Sequence, residues 1–290
     1  MKALFLIALT LVIFGTGAYF TYEMFIVPKK ALEAEKAQPP PPPPPDPTVP
    51  EFDKAKAVRK TGKILDAREA LTAFVERYPE SSKIDEAKNL LGNINTDLFL
   101  STRPAPEKEQ YIVQRGDVIN RVATKLKVTP ELLMRANSLE RTMLMIGQKL
   151  TMSPADFSVV ISRKKDKVTL LNKGRFFKQY PILSWPPQLT KKPPAAGQKI
   201  APPVPKQVGK VRDKIAWLDG QRVIFTDKGY WTAKFWIEIN IAGCTLYPEP
   251  EPGTPETPNS KPASGGIALD PEACTELGAL LSKDDPVTLE

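Results

Sequence analysis

The sequence of 290 residues contains no histidine, and this absence excludes several classes of chemistry. Without an imidazole there is no Ser-His-Asp or Cys-His catalysis, no histidine general base and no histidine-bearing metal site. Cysteine is nearly as scarce, since only Cys244 and Cys274 are present. Two cysteines exclude a cysteine-rich zinc site and leave either one disulfide or two unrelated thiols. We therefore expect no metal and no cofactor.

Acidic residues are the next deficit, because 33 Asp and Glu face 41 Lys and Arg, a net charge of +8. This balance suits an anionic partner such as a nucleic acid, a lipid surface or a cell-wall polymer. No basic stretch is interleaved with aromatic residues in the way that nucleic-acid binders require, so we expect no nucleic-acid partner. The 31 prolines are about twice the average usage, which indicates that part of the chain is linker.

The first 27 residues are strongly apolar. Residues 3–22 carry no charge, and at a rise of 1.5 Å per residue they span roughly 30 Å, the thickness of a bilayer core. Two interpretations stay open: a signal peptide cleaved near residues 16–18, or an uncleaved anchor, which the continuing apolar run through Val27 favours. We expect residues 1–27 to anchor the protein in the inner membrane facing the periplasm, or to direct its export if they are cleaved.

Seven consecutive prolines occupy positions 39–45 and predict a semi-rigid polyproline II spacer. We therefore interpret residues 28–50 as a linker. Residues 51–104 then carry two apolar stripes of helical period, which predict two antiparallel helices. This hairpin resembles one tetratricopeptide-like repeat. Because a single repeat buries its own faces poorly, we expect it to pack on a neighbour or to present a surface to a protein partner.

Residues 110–154 predict a strand, two short helices and a second strand. They resemble the LysM family of peptidoglycan- and chitin-binding modules over their full length and in the same order. The matching positions are Tyr111-x-Val113-x-x-Gly116-Asp117, Val122-Ala123, Asn137-x-Leu139 and Gly147-Gln148-x-Leu150. The sequence departs from the family at Val118, where most members have threonine or serine.

The LysM resemblance implies that a glycan containing N-acetylglucosamine lies in a shallow groove between two turns. Backbone amides of tight turns can bind acetamido groups, and apolar side chains can cover the sugar faces. The residues carried over to line the groove are Gly116, Asp117, Val118 and Ile119 on one side, and Leu144, Met145, Ile146 and Gly147 on the other. The alternative is purely structural: the two glycines serve the turns, while Ile119 and Ile146 belong to the core.

Residues 156–290 alternate as strands with little helix and predict a mainly-β domain. The expected fold class is therefore an α+β multidomain protein, with a transmembrane helix, a helical hairpin, a βααβ LysM module and this last domain. The domain resembles the L,D-transpeptidase catalytic family through residues 169–182, 194–197 and 270–289. That family closes cell-wall cross-links with a thiolate that a histidine activates.

The catalytic positions of that family are replaced in this sequence. The upstream Ile-His-Gly-Thr motif reads Ile241–Cys244 and has Ala242 at the histidine position. The main Ser-His-Gly-Cys-Ile-Arg motif has Ser264 at the base, Gly266 at the nucleophile and Ala268 at the arginine. A glycine cannot form an acyl-enzyme, so we expect a pseudoenzyme rather than an enzyme.

Three functions remain open at this stage. The first is a membrane-anchored cell-envelope protein that binds peptidoglycan through the LysM module and carries an inactive transpeptidase-like domain. The second is an active L,D-transpeptidase, or another cell-wall enzyme, that uses non-standard residues. The third is a scaffold, in which the helical hairpin and the degenerate domain recruit protein partners while the glycan module only localises the protein.

Overall fold

The chain divides into two compact units, residues 1–47 and Thr48–Glu290. They are seen in a computed structural model, which describes residues 12, 14–26, 46–190, 205–227, 229–250, 262 and 265–290. In the first unit, residues 14–21 are helical and the helix ends in a π-helical turn, Tyr22–Ile26. No helix among the described residues is long and apolar enough to cross a membrane. Residues 1–11 of the expected anchor and residues 28–45 of the expected linker lie outside the described residues.

Three helices open the second unit, where the sequence pattern predicted two. They are α1 (Val49–Lys60), α2 (Ile64–Arg77) and α3 (Ile84–Phe99). Helix α1 begins within the expected linker because Pro50 lies in its first turn, where a missing amide donor removes no helical hydrogen bond. Phe52 of α1 packs on Phe74 of α2 with ring centroids 5.5 Å apart. The additional helix, α1, therefore covers an apolar face of α2 that would be exposed if only α2 and α3 were present.

The LysM segment folds as the βααβ arrangement predicted from the sequence. It consists of β1 (Glu109–Ile112), α4 (Ile119–Leu126), α5 (Pro130–Ala136) and β2 (Lys149–Met152). The two strands pair antiparallel, with Glu109 opposite Met152. Thr129 begins α5 by accepting a hydrogen bond from the Leu132 amide, which satisfies one of the free donors at the helix start.

The residues that follow the LysM segment form a curled β-sheet and one α-helix. Its elements are β3 (Phe157–Ser162), β4 (Lys167–Asn172), β5 (Arg175–Pro181), β6 (Gln207–Leu218), β7 (Gln221–Val223), β8 (Lys234–Ile239), β9 (Leu246–Pro248), β10 (Ile267–Leu269), α6 (Pro271–Leu280) and β11 (Pro286–Leu289). The strand order is β10-β9-β8-β6-β11-β3-β4-β5, with β7 paired to β6. The last strand lies centrally, parallel to β3 and antiparallel to β6. The predicted α+β fold class and the predicted mainly-β C-terminal domain are confirmed.

One hydrophobic core joins the LysM segment to the C-terminal sheet. Phe99 of α3 also enters it, where its ring meets Phe157 and Phe177 at centroid distances of 5.4 and 5.3 Å. The edge strand β5 is covered by α3, whose Asn95 side chain donates to the Phe177 carbonyl at 2.8 Å. Such cover removes an open sheet edge. The second unit is thus packed continuously, from the helices through the LysM segment to the sheet.

Candidate functional site

Two turns of the LysM segment meet at one end of the β1–β2 ladder. The Gly147 amide donates to the Val113 carbonyl at 2.8 Å, and the Val113 amide donates to the Gln148 carbonyl at 2.9 Å. These bonds hold the turn after β1 beside the loop before β2. The two sides of the groove predicted from the sequence are therefore neighbours in space.

Each turn is held by its own polar side chain. Asp117 accepts hydrogen bonds from the Gln114 amide at 2.8 Å and from the Tyr111 hydroxyl at 2.7 Å. The Gln114 amide first, and then the Tyr111 hydroxyl, hold the pKa of the Asp117 carboxyl below its usual value. On the other side, the Gln148 side chain accepts from the Met145 amide at 3.0 Å. Asp117 is thus a charged group that braces the first turn.

The expected groove residues differ sharply in exposure. Val118, Met145 and Ile146 are 53%, 71% and 72% exposed, so a ligand can reach all three. Ile119 is only 4% exposed and belongs to the core, and Leu144 is half-buried against the same core. The structural alternative therefore describes Ile119 but not Ile146.

Gly116 and Gly147 mark the open surface between those side chains. Both have positive φ, +86° and +82°, a region that favours glycine, and a Cβ at either position would meet no atom within 4 Å. Met143, which is 82% exposed, directly precedes the expected groove residue Leu144. The sequence analysis did not include Met143, since the residues it expected on this side of the groove begin at Leu144.

The positions that the sequence analysis assigned to the transpeptidase motifs lie on or beside two adjacent strands, β9 and β10, as far as they are described. Strand β10 runs parallel to β9, with Ile267 opposite Leu246. Ala268 is fully buried in a cluster with Trp236 and Tyr247, whereas Ala242 is exposed in the turn before β9. Ser264 lies outside the described residues.

Gly266, at the nucleophile position, has no room for a side chain. A Cβ there would lie 2.5 Å from the Thr245 carbonyl oxygen and 2.9 Å from the Tyr247 ring. The carbonyl is held in place because it accepts a 2.8 Å hydrogen bond from the Ile267 amide. Any side chain at Gly266 thus requires the backbone to move.

The Gln188 side chain lies close to the turns at Gly243 and Gly265. A Cβ on Gly243 would lie 3.0 Å from the Gln188 Cγ, and one on Gly265 would lie 3.1 Å from its Nε2. These short distances show that the Gln188 side chain lies against both turns. Both glycines also have positive φ. The sequence analysis did not identify Gln188, because this residue lies in a proline-rich segment far from either motif and no local sequence pattern distinguishes it.

Neither cysteine is available as a nucleophile in this fold. Cys244 and Cys274 are both fully buried and unpaired. Burial raises the pKa of the Cys244 thiol to about 11 and raises that of Cys274 as well. Both thiols are therefore neutral at physiological pH, and only a thiolate attacks efficiently. The described residues also bring together no group of three or more Asp, Glu or Cys side chains that could hold a metal ion.

A buried polar cluster fastens the LysM segment to the C-terminal sheet. Glu131 of α5 accepts a hydrogen bond from the Tyr230 hydroxyl at 2.6 Å and lies 3.5 Å from the Lys214 Nζ. Lys214 also donates to the Gly278 carbonyl at 2.7 Å, and Thr129 donates to the Ala279 carbonyl. Burial lowers the pKa of Lys214, while Glu131 opposes that shift. This cluster therefore ties the start of α5 to the C-terminal sheet and to α6.

Several solved L,D-transpeptidase structures are similar to the chain. One from Mycobacterium smegmatis is 13% identical, with a TM-score of 0.29, and the match covers 50% of this chain and 64% of that chain. Enterococcus faecium L,D-transpeptidase is 15% identical, with coverages of 77% and 82% and a TM-score of 0.28. An E. faecium catalytic domain acylated by ertapenem is 16% identical, with coverages of 47% and 98% and a TM-score of 0.27. These scores are too low to establish a shared fold.

Sequence comparison gives a narrower result. No curated protein matches the chain. The LysM domain family matches residues 111–153, which include the second half of β1, both short helices and β2. The motif-based prediction is confirmed, and residues 111–153 form a LysM domain.

Proposed function

We propose that this protein binds the glycan strands of peptidoglycan through its LysM domain. The observation that carries the proposal is the exposed apolar surface at the meeting of the two turns, within residues matched to the LysM family. We call this surface the turn face, formed by Gly116, Val118, Met145, Ile146 and Gly147. Apolar side chains at the turn face suit the faces of sugar rings, and neither glycine has a side chain that would keep a ligand away from the two turns.

Three of the eight expected groove residues have other roles in this proposal. Asp117 positions the first turn through its hydrogen bonds to Tyr111 and Gln114, while Ile119 and Leu144 support it from the core side. The net charge of +8 favours approach to an anionic wall polymer at low salt. The turn face therefore determines which ligand is bound, and the net positive charge of the whole chain provides the long-range attraction.

The proposed location is the cell envelope, with the N-terminal segment holding the protein at the inner membrane on the periplasmic side. The uncharged run at residues 3–22 supports this placement. A protein held there meets peptidoglycan directly. If the segment is cleaved, the same turn face acts in an exported protein.

We also propose that the C-terminal domain performs no transpeptidation. The sequence has no histidine, Gly266 has no room for a side chain, and Cys244 is buried and neutral. An active enzyme with non-standard residues would have to expose a nucleophile that neither cysteine provides. A scaffold is the second candidate function, favoured by a groove of about 220 Å³ between α1 and α2 whose floor is apolar, with Ala55, Val58 and Phe74.

The test is co-sedimentation of the full-length chain with purified sacculi, followed by muropeptide profiling. We expect the double variant Met145→Glu, Ile146→Glu to bind at least about tenfold more weakly, because two carboxylates would have to be desolvated against sugar. Val208→Glu is the matched control, since it places a charge on another exposed apolar residue, in the sheet.

Three results would contradict parts of this proposal. Equal binding by the double variant and the control removes the turn face as the binding surface. No binding by the unaltered chain removes glycan binding altogether and leaves the scaffold. Altered muropeptides after incubation show that the C-terminal domain is catalytic.

A further inference from the structure

Arg121 is an exposed cation at the edge of the turn face. It lies in α4, shortly after the first turn, and its Nη1 donates a hydrogen bond to the Gly116 carbonyl at 3.1 Å. Gly116 belongs to the turn face, and a Cβ at that position would meet no atom within 4 Å. The Arg121 guanidinium is therefore held beside a surface that a ligand can reach.

The guanidinium of Arg121 keeps one edge for a further partner. The bond to Gly116 is made by Nη1, and Nε and Nη2 lie together on another edge of the planar group. No carboxylate in the described part of the chain forms an ion pair with Arg121, whereas four other arginines are paired in this way. The charge of Arg121 is thus open to an anion from solution.

The nearest acid in the sequence does not neutralise this region. Asp117 accepts hydrogen bonds at its Oδ2 from the Tyr111 hydroxyl at 2.7 Å and from a backbone amide at 2.8 Å. Lys125, one helical turn after Arg121 on the same face of α4, donates to the Tyr111 hydroxyl at 3.2 Å. Arg115, in the first turn, is also exposed. Three cations therefore surround one carboxylate, and this side of the turn face is positively charged.

A carboxylate distinguishes peptidoglycan strands from neutral N-acetylated glycans such as chitin. The sugar rings and acetamido groups of the two polymers are alike, so apolar contacts do not separate them. In peptidoglycan every second sugar carries a lactyl ether. Its carboxyl group is a free anion where the peptide stem is absent, and the stem supplies carboxylates where it is present. A guanidinium edge pairs with the two oxygens of a carboxylate.

We propose that Arg121 is a specificity-determining residue, which selects N-acetylated glycans that carry a carboxylate over neutral ones. The carboxylate belongs either to the lactyl group or to a peptide stem. This selection rests on the proposed function, because the turn face must hold the sugar before Arg121 reaches its carboxylate. The apolar side chains then provide the affinity common to both glycans, and Arg121 provides the difference between them.

The test measures the affinity of the full-length chain for four tetrasaccharides by titration calorimetry at low ionic strength. They are the chitin tetramer, the stem-free peptidoglycan tetramer, the same tetramer with its lactyl carboxyls converted to amides, and the tetramer with peptide stems. We expect the stem-free acid to bind about two- to fivefold more tightly than the amide or chitin, the range of an exposed ion pair. Screening at 1 M salt should remove this difference.

Arg121→Gln should lose the preference and keep the affinity for chitin, which also shows that the variant is folded. The matched control Arg212→Gln removes the same charge from the sheet, where Arg212 is exposed and paired with Glu238 at 3.0 Å, and it should keep the preference. If the carboxylate comes from the stem, only the stem-bearing tetramer is preferred, and Arg121→Gln again removes the preference.

Three results overturn the assignment of Arg121. Equal affinities of the unaltered chain for all four ligands, or a preference that survives Arg121→Gln, overturn the selection while leaving glycan binding intact. Loss of chitin binding in Arg121→Gln would show that this arginine only braces the first turn. Failure of the unaltered chain to bind any of the four removes the proposed function together with this inference.

Discussion

Gly266 lies where the packing of the backbone excludes any side chain. Its Cα faces the Thr245 carbonyl so closely that even a methyl group would overlap the oxygen. A cysteine placed there would begin with the same Cβ and the same clash. The backbone at this position is therefore packed for glycine.

We predict that Gly266→Ala lowers the free energy of unfolding by about 1–3 kcal/mol, the usual cost of forcing extra volume into a packed site. Urea denaturation of the full-length chain measures this change. Gly17→Ala is the control, because a Cβ at that helical position meets nothing within 4 Å. A Gly266→Ala protein as stable as the unaltered chain would show that the backbone around Thr245 yields easily.

At the scale of elements, the connection between α6 and β11 contains a titrating carboxyl group. Asp285 accepts a hydrogen bond from the Ser282 amide at 2.8 Å, which closes the turn that returns the chain to the sheet centre. Burial raises the pKa of Asp285 from 3.8 to about 6, even though the Ser282 amide and Lys214 oppose the shift. The folded chain therefore holds this proton more tightly than the unfolded chain does.

From that difference we predict a pH-dependent loss of stability. The contribution of Asp285 is fully present below about pH 4 and is lost as pH rises through 6, where the folded state must also give up the proton. The expected loss is about 1–2 kcal/mol after allowance for solvent screening. Denaturation series between pH 4 and 7 should show a smaller decline for Asp285→Asn than for the unaltered chain. Asp284→Asn, at an exposed position, should follow the unaltered chain; identical slopes for all three would refute the assignment.

At the scale of the whole molecule, the LysM domain is part of a larger packed body. Its α5 contributes Leu132, Leu133 and Met134 to the core shared with the C-terminal sheet. Glu131, Lys214 and Tyr230 form the polar centre of that contact. The C-terminal sheet thus supports the LysM domain, and under the proposed function it also supports the turn face.

We predict that Lys214→Met lowers the free energy of unfolding by about 3–5 kcal/mol, because it leaves Glu131 buried without its cation. Combining it with Glu131→Leu should recover at least half of that loss, since both charges are then gone. Lys206→Met, an exposed control, should change stability by less than about 0.5 kcal/mol. Denaturation of the unaltered chain and the three variants measures these changes. If Lys214→Met leaves the free energy of unfolding unchanged, the Glu131–Lys214 pair contributes nothing to the packing of the LysM domain on the sheet.

The sequence alone determined the properties that depend on composition or on neighbouring residues. The missing histidine excludes imidazole chemistry, the motif spacing identifies the LysM domain, and alternation along the chain predicts the mainly-β C-terminal domain. Such features are readable because periods of 2 and 3.6 residues, and turn glycines, are encoded locally.

Only the tertiary structure decided which of these residues meet. It exposed Ile146 while burying Ile119, added a helix, α1, that begins at the end of the expected linker, and placed Gln188 against the motif turns. It also buried the Arg163 side chain, which is 8% exposed. The physical reason is sequence distance: Thr129 and Ala279 are hydrogen-bonded although 150 positions separate them. Burial and pairing across such separations arise from packing, which no local pattern specifies.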